Sequence, residues 1–322
     1  MLQSKKKSFN QIKIHSQYSI CEGALKIENL KEYCKKNKIQ SVGLSDTYNL
    51  SGALEFSENI SSVGTQPIIG SQVQFKFKNT YGLIPLIAKN YNGYKNIIEL
   101  SSKAYLENVD NDQPHCSIED LTKYSDGIIV LSGAINNLIG NMFNKGLFEE
   151  LDELITILNN NFKENFYLEI QRHGDKNEKE FEFFNLNVSK KYQIPIIATN
   201  EVYYLDKEMH EAHDALMCIG QKTYINDQKR LKLTNNHYLK SSAEMDEIFK
   251  DLPEALENNY NLPFRCNFRP IPSKPILPNI ITDTVNIDDK LKNDSLKGLE
   301  EKFKIDPELI SKISNNIKTK DT

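Results

Sequence analysis

Residues 11–19, Gln11-Ile12-Lys13-Ile14-His15-Ser16-Gln17-Tyr18-Ser19, and residues 44–49, Leu44-Ser45-Asp46-Thr47-Tyr48-Asn49, decide how the rest of the chain is read. In each, a short apolar run stops abruptly at side chains that can bind a proton or a metal. Both runs are too short for a typical helix and have the bounded, branched character of strands. The first is a predicted strand over 11–14 and the second over 41–44. The same form recurs at 67–75, 83–88, 127–131, 166–170 and 194–198.

Helical periodicity fills most of the intervals, over 27–36, 51–61, 94–105, 117–124, 147–160 and 176–191. Ser117 with Asp120 three residues on reads as an N-cap with an acidic first turn. Repeated strand-helix order implies a largely parallel sheet, because parallel neighbours need a crossover of about a dozen residues. About seven such units favour a closed or nearly closed barrel. The expected fold class is therefore α/β, a distorted TIM-like (β/α)7 barrel over residues 1–205. After Tyr204 the rhythm changes, with helices at 207–219 and 242–260 around a polar excursion at 220–236. This makes a helical extension over 206–268. Pro263, Pro270, Pro272, Pro275 and Pro278 then give extended linker, and residues 269–322 read as linker followed by a charged, weakly helical tail.

Composition narrows the function. A chain of 322 residues can bury a sizeable core without disulfides. Its five cysteines, Cys21, Cys34, Cys116, Cys218 and Cys266, are odd in number and form no C-x-x-C pair, so they read as reduced thiols of a cytoplasmic protein. No apolar run approaches the roughly 20 residues of a membrane span. The net charge of -4 argues against a chain that coats nucleic acid by itself.

In such barrels chemistry gathers where strands end at their C-termini. Sorting polar residues there gives Lys13, His15, Glu22, Asp46, Gln72, His173, Glu201 and Tyr203. Two imidazoles and three carboxylates could hold a divalent Mn, Mg or Zn ion. The other reading is a rim of hydrogen-bonded histidines, with Lys13 ion-paired to Asp46 or Glu22. His210 and His213 share a helical face without a third ligand nearby, and Lys35, Lys36 and Lys38 read as a solvated helix face. The sequence assigns no role to His115 or His237.

The order of these residues resembles a known family. Residues 9–23, with His15, Tyr18-Ser19 and Glu22-Gly23, look like the opening motif of the polymerase and histidinol phosphatase (PHP) domain. The resemblance is to the form that begins the α subunit of bacterial replicative DNA polymerase III. Further matches run in order through Ser45-Asp46, Pro67-Ile68-Ile69-Gly70, Leu131-Ser132-Gly133, His173-Gly174 and Ala198-Thr199-Asn200. Ala212-His213-Asp214-Ala215-Leu216, Tyr238-Leu239-Lys240-Ser241 and Pro253-Glu254-Ala255 carry the likeness to the polymerase subunit. It spans residues 9–278.

Carried over position by position, the resemblance implies a depleted metal site. The motif's first histidine falls on Lys13 and its second on His15, while its loop aspartate falls on Glu22. Asp46 matches, but the histidine beside it falls on Thr47. Gln72 takes the place of a glutamate, Leu83 of a histidine and Ala134 of a cysteine. His173 matches, and a final aspartate and histidine fall on Glu201 and Tyr203. The resemblance thus implies a scaffold and docking surface in DNA replication, with the proofreading exonuclease and other replicase subunits as partners. DNA would be reached through the full-length polymerase subunit. No cofactor is expected, although a residual divalent metal fits His15, Glu22, Asp46, His173 and Glu201. No paired-aspartate polymerase motif follows Pro278, and Asp288-Asp289 is a poor candidate, so the polymerase palm is expected to be absent. The alternative is a metal-dependent phosphoesterase acting on a DNA 3' end or on pyrophosphate.

Overall fold

The computed structural model describes residues 7–107, 113–276, 286–306, 308 and 311. Pro278 and nearly all of the tail beyond residue 306, on which sequence expectations fell, lie outside the described residues.

Among the described residues nine strands form one sheet: β1 (Gln11–Ile14), β2 (Ser41–Thr47), β3 (Gln66–Phe77), β4 (Thr80–Ala88), β5 (Cys116–Ser117), β6 (Ile128–Leu131), β7 (Phe166–Ile170), β8 (Ile196–Ala198) and β9 (Glu201–Val202). The hydrogen-bonded path runs β8-β7-β6-β4-β3-β2-β1-β9, with β5 beside β3. Its two end strands are one stave interrupted at Thr199-Asn200. The first half pairs with β7 and the second with β1, both in parallel. The sheet therefore curls round on itself, and the (β/α)7 expectation matches its seven staves.

The expectation of a largely parallel sheet needs one correction. Strand β4 runs antiparallel to both β3 and β6. Lys78 and Asn79 connect β3 to β4, and Lys78 has a left-handed φ of 50°. A two-residue link can make a hairpin but not a crossover.

Period-two alternation sorts the staves into an inner and an outer face. Ile12, Ile68, Ile87, Ile129, Leu131, Tyr167 and Ile197 form an apolar plug inside the barrel, joined by Leu262 and Cys266 from the extension. Outward residues such as Val73, Phe75, Leu86, Val130 and Leu168 pack on one helical layer. Val42, Leu44 and Ile69 pack on another.

The helices are α1 (Ile27–Asn37), α2 (Ala53–Ser62), α3 (Tyr91–Leu106), α4 (Ile118–Lys123), α5 (Leu138–Asn144), α6 (Phe148–Phe162), α7 (Glu178–Tyr192), α8 (His210–Gln221), α9 (Ser242–Ile248), α10 (Pro253–Asn261) and α11 (Ile287–Ile305). Ser117 and Asp120 form the expected capping box at α4. The helix expected at 242–260 is two helices. Pro253 opens α10, lacks a backbone donor and pushes Leu252 out of helical geometry. Helix α5 and the two-residue strands β5 and β9 were not anticipated.

The chain divides into two compact units, Met1–Pro272 and Ser273–Thr322. The first holds the barrel together with α8, α9 and α10. Asn259 of α10 donates to the backbone oxygens of Asn10 and Ala198, at 2.9 and 3.0 Å, so this helix is bonded directly to the staves. The second unit holds α11, which has no buried residue. No helix among the described residues is long and apolar enough to cross a membrane.

Candidate functional site

Above the apolar plug the inner face turns polar. The β1–β2 register shifts between Gln11 and Ile14, and β1 pairs Lys13 with Glu201 of β9. Lys13 is thereby carried inside the barrel with no exposed side-chain surface. Its Nζ lies 3.0 Å from Glu169 Oε1 and 3.4 Å from Glu201 Oε1. Burial opposes the ammonium charge, but the two carboxylates outweigh it and raise the Lys13 pKa above its ordinary value. Burial likewise opposes charge on Glu201, yet Lys13 and the neighbouring His15 hold its carboxyl well below the usual range.

This corrects the expected pairing of Lys13 with Asp46 or Glu22. Asp46 is satisfied at the end of β2 by the Ser16 amide at 2.7 Å, the Ser16 hydroxyl at 2.8 Å and the Ser19 hydroxyl at 2.7 Å. Burial nevertheless raises its pKa, against those donors. Glu22 accepts from the Thr47 hydroxyl at 2.6 Å. Its loop lies tightly against the exit of β1, since a Cβ on Gly23 would meet Ser16 O at 2.0 Å.

His15 sits between these groups. Its Nδ1 is 3.2 Å from Ser19 Oγ and 3.3 Å from Thr47 Oγ1. Both hydroxyls give their single proton to a carboxylate, so they accept from Nδ1–H. Its Nε2 is 3.0 Å from Glu201 Oε1 and 3.0 Å from Gln72 Nε2. Gln72 also donates to Glu201 at 2.5 Å. The Tyr203 ring stacks on the imidazole at 4.2 Å, and burial pushes its phenol well above the usual range.

Lys13, His15, Glu22, Asp46, Thr47, Gln72, Glu201 and Tyr203 thus form one network. His173 lies beside it, with Nε2 3.1 Å from Asn200 Oδ1 and 3.3 Å from the Glu201 amide. Leu83 pairs with Gln74 across the hairpin, and Ala134 lines a crevice with Glu169 and Gln171. His213 contacts the Glu22 carbonyl at 2.7 Å, while His210 lies 3.3 Å from the Tyr204 hydroxyl. His210 does not join the network, and His213 meets it only through the Glu22 backbone and the tilted Tyr203 ring.

Sequence sorting missed Glu169, Asp175, His237 and Lys240. Glu169 was findable, because it is a charge inside an apolar strand and two residues from the inward-facing Tyr167. His237 was not, since its neighbours arrive from distant segments. Both Asp46 oxygens, Glu22 Oε2, both His15 nitrogens and Glu201 Oε1 contact protein groups. The Lys13 ammonium stands against the same Glu201 oxygen, at 3.4 Å.

Residues 11–173 match the PHP domain. The DNA polymerase III subunit alpha of Caulobacter vibrioides is 32% identical over 302 residues, covering 91% of this chain and 26% of that protein. Its counterpart in Borreliella burgdorferi is 36% identical over 323 residues, covering 95% of this chain and 28% of that one. The chain spans about a quarter of the length of these relatives. Among solved structures, an amidohydrolase from Chromobacterium violaceum aligns with 10% identity and a TM-score of 0.40, over 61% of this chain and 88% of that one.

Proposed function

The chain belongs to the PHP domain family, and from that premise we propose that it is the N-terminal PHP region of a replicative DNA polymerase III α subunit, acting as a scaffold rather than as a nuclease. Its work is to present a docking surface to the proofreading exonuclease and other replicase subunits, in the cytoplasm. DNA is reached through the full-length subunit.

The observation that carries the reading is the Lys13 ammonium, buried against Glu169 and Glu201. In metal-assisted hydrolysis a cation cluster polarises the phosphate and lowers the pKa of bound water to about 7. An ammonium supplies charge but has no open coordination position and cannot hold a water as a nucleophile. Lys13, Thr47, Leu83 and Tyr203 provide none of the missing imidazoles, and His15 is tied to Glu201 directly, to Asp46 through Ser19 and to Glu22 through Thr47. The network therefore fits a support for the barrel rim, on which partners would rest.

Two measurements test this. Incubation with Mn or Zn and a single-stranded DNA 3' end, or with pyrophosphate, should release no product above blank. The purified chain should co-elute with the proofreading exonuclease subunit of its own genome. Metal-dependent turnover lost in both His15→Ala and Asp46→Ala would overturn the scaffold reading and establish the phosphoesterase alternative.

A further inference from the structure

We propose that His173, Asp175 and His237 form a site for a single divalent cation of the zinc class, separate from the Lys13 network. One candidate ligand atom from each residue lies within 4.8 Å of the other two. His173 and His237 are buried at 1% and 3% exposure, with rings stacked 4.0 Å apart at an angle of 7°. The Asp175 carboxylate lies 3.7 Å from His237 Nε2.

The hydrogen bonds fix one lone pair. His237 Nδ1 is 3.1 Å from the backbone oxygen of Glu201, which can only accept, so Nδ1 carries the ring proton. In the neutral ring Nε2 is then a bare acceptor. It is buried without a hydrogen-bond partner and faces a second acceptor, the Asp175 carboxylate. His173 Nδ1 is also buried and without a hydrogen-bond partner, and it offers a lone pair in the tautomer whose Nε2–H donates to Asn200 Oδ1 at 3.1 Å, the shorter of the two contacts at that nitrogen. Native proteins rarely leave such groups unsatisfied, because each costs free energy. A cation among the three satisfies all of them.

Zinc accepts imidazole nitrogen and carboxylate oxygen, and three protein ligands leave a fourth position for water. The Glu201 carbonyl would hold the His237 ring in its ligating tautomer, as a metal-bound imidazole needs. Glu178, whose Oε1 is 3.6 Å from His173 Nδ1, and Glu201 add negative charge. Lys240, bonded to Asn200 at 2.9 Å, opposes it. Binding requires the stacked rings to splay. The ion would clamp the loop between β7 and α7 to the segment entering α9. His173 is one of the metal positions carried over by resemblance, whereas Asp175 and His237 fall on none of them, and this inference stands whether or not the Lys13 network is silent in catalysis.

The competing resolution is a proton, with His237 as an imidazolium paired to Asp175, and the test separates the two. The chain stripped with a chelator is titrated with Zn alone by calorimetry, its melting temperature is followed, and Co replaces Zn for a visible spectrum. The expected result is one equivalent bound, a melting temperature raised by several degrees and a ligand-field band with Co. His237→Gln and Asp175→Asn should each weaken binding at least about tenfold, while Asp46→Asn should bind as the parent does. Asp175→Asn removes the charge at the edge of the cluster, so it carries the test if His237→Gln fails to fold. Absence of saturable binding, or binding undiminished in Asp175→Asn, overturns the proposal. Binding lost in Asp46→Asn but kept in Asp175→Asn places the ion in the Lys13 network and overturns both this inference and the scaffold reading. Hydrolysis without such binding overturns the scaffold reading alone.

Discussion

Lys13 Nζ lies 3.0 Å from Glu169 Oε1, and neither side chain has exposed surface. A pair so placed has lost its hydration, and its attraction offsets that loss only while both partners and Glu201 remain.

Lys13→Met should therefore destabilise the chain by about 3–5 kcal/mol, the range for removing one partner of a buried pair. Urea unfolding of the parent, Lys13→Met and Lys13→Met with Glu169→Gln measures this. The double variant should recover part of the loss, since it leaves fewer carboxylates unpaired. An unchanged midpoint in Lys13→Met would contradict an ion pair that holds the barrel interior.

Lys240 gives a prediction on the alkaline side. Its buried ammonium donates to Asn200 and to the Asn236 carbonyl, and burial lowers its pKa from 10.5 to about 8. The folded chain releases this proton near pH 8 and the unfolded chain near 10.5. Between those values the unfolded state holds the extra proton, so this group makes stability rise with pH. The penalty below pH 8 is on the order of 3 kcal/mol. Unfolding free energies at about pH 7 and about pH 10 should show a more positive change with pH in the parent than in Lys240→Met. Equal changes in the two proteins would remove the assignment.

Arg230 pins the polar excursion to α8. Its two terminal nitrogens each lie 2.6 Å from an oxygen of Asp214, and its side chain is 2% exposed. Only a guanidinium matches both carboxylate oxygens at once. In Arg230→Gln, chymotrypsin should cut after the exposed Tyr224 several times faster than in the parent. Identical cleavage rates would mean that this fork does not hold the segment.

The α4 capping box is a local test of stability. Ser117 Oγ accepts from the Asp120 amide at 3.1 Å, and the Asp120 carboxylate accepts from the Ser117 amide at 3.0 Å. Ser117→Ala should cost about 1 kcal/mol, measured by urea unfolding. A change near zero would show that α4 is held by the packing of Ile118 and Leu121 alone.

The seven predicted staves and six of the barrel helices were legible because strand and helix periodicities are local properties of the chain. So was the α4 cap, which needs only residues three apart. The antiparallel β4 was half legible, since the interval before it is too short for a crossover. The break at Pro253 was written in the sequence, but the apolar pattern continued across it and concealed it.

The sequence by itself determined which residues reach the rim, because the lengths of the apolar runs fix where each stave ends. It could not determine their partners. Whether Lys13 meets Asp46 or Glu169 depends on the β1 register, the closure of β9 onto β1 and the depth at which each stave sits, and all of these are set by packing around the apolar plug. The stacking of His173 on His237 likewise follows from the return of the extension across the rim. Only the tertiary structure decided that contact, because the free energy that places it comes from burial shared by distant segments.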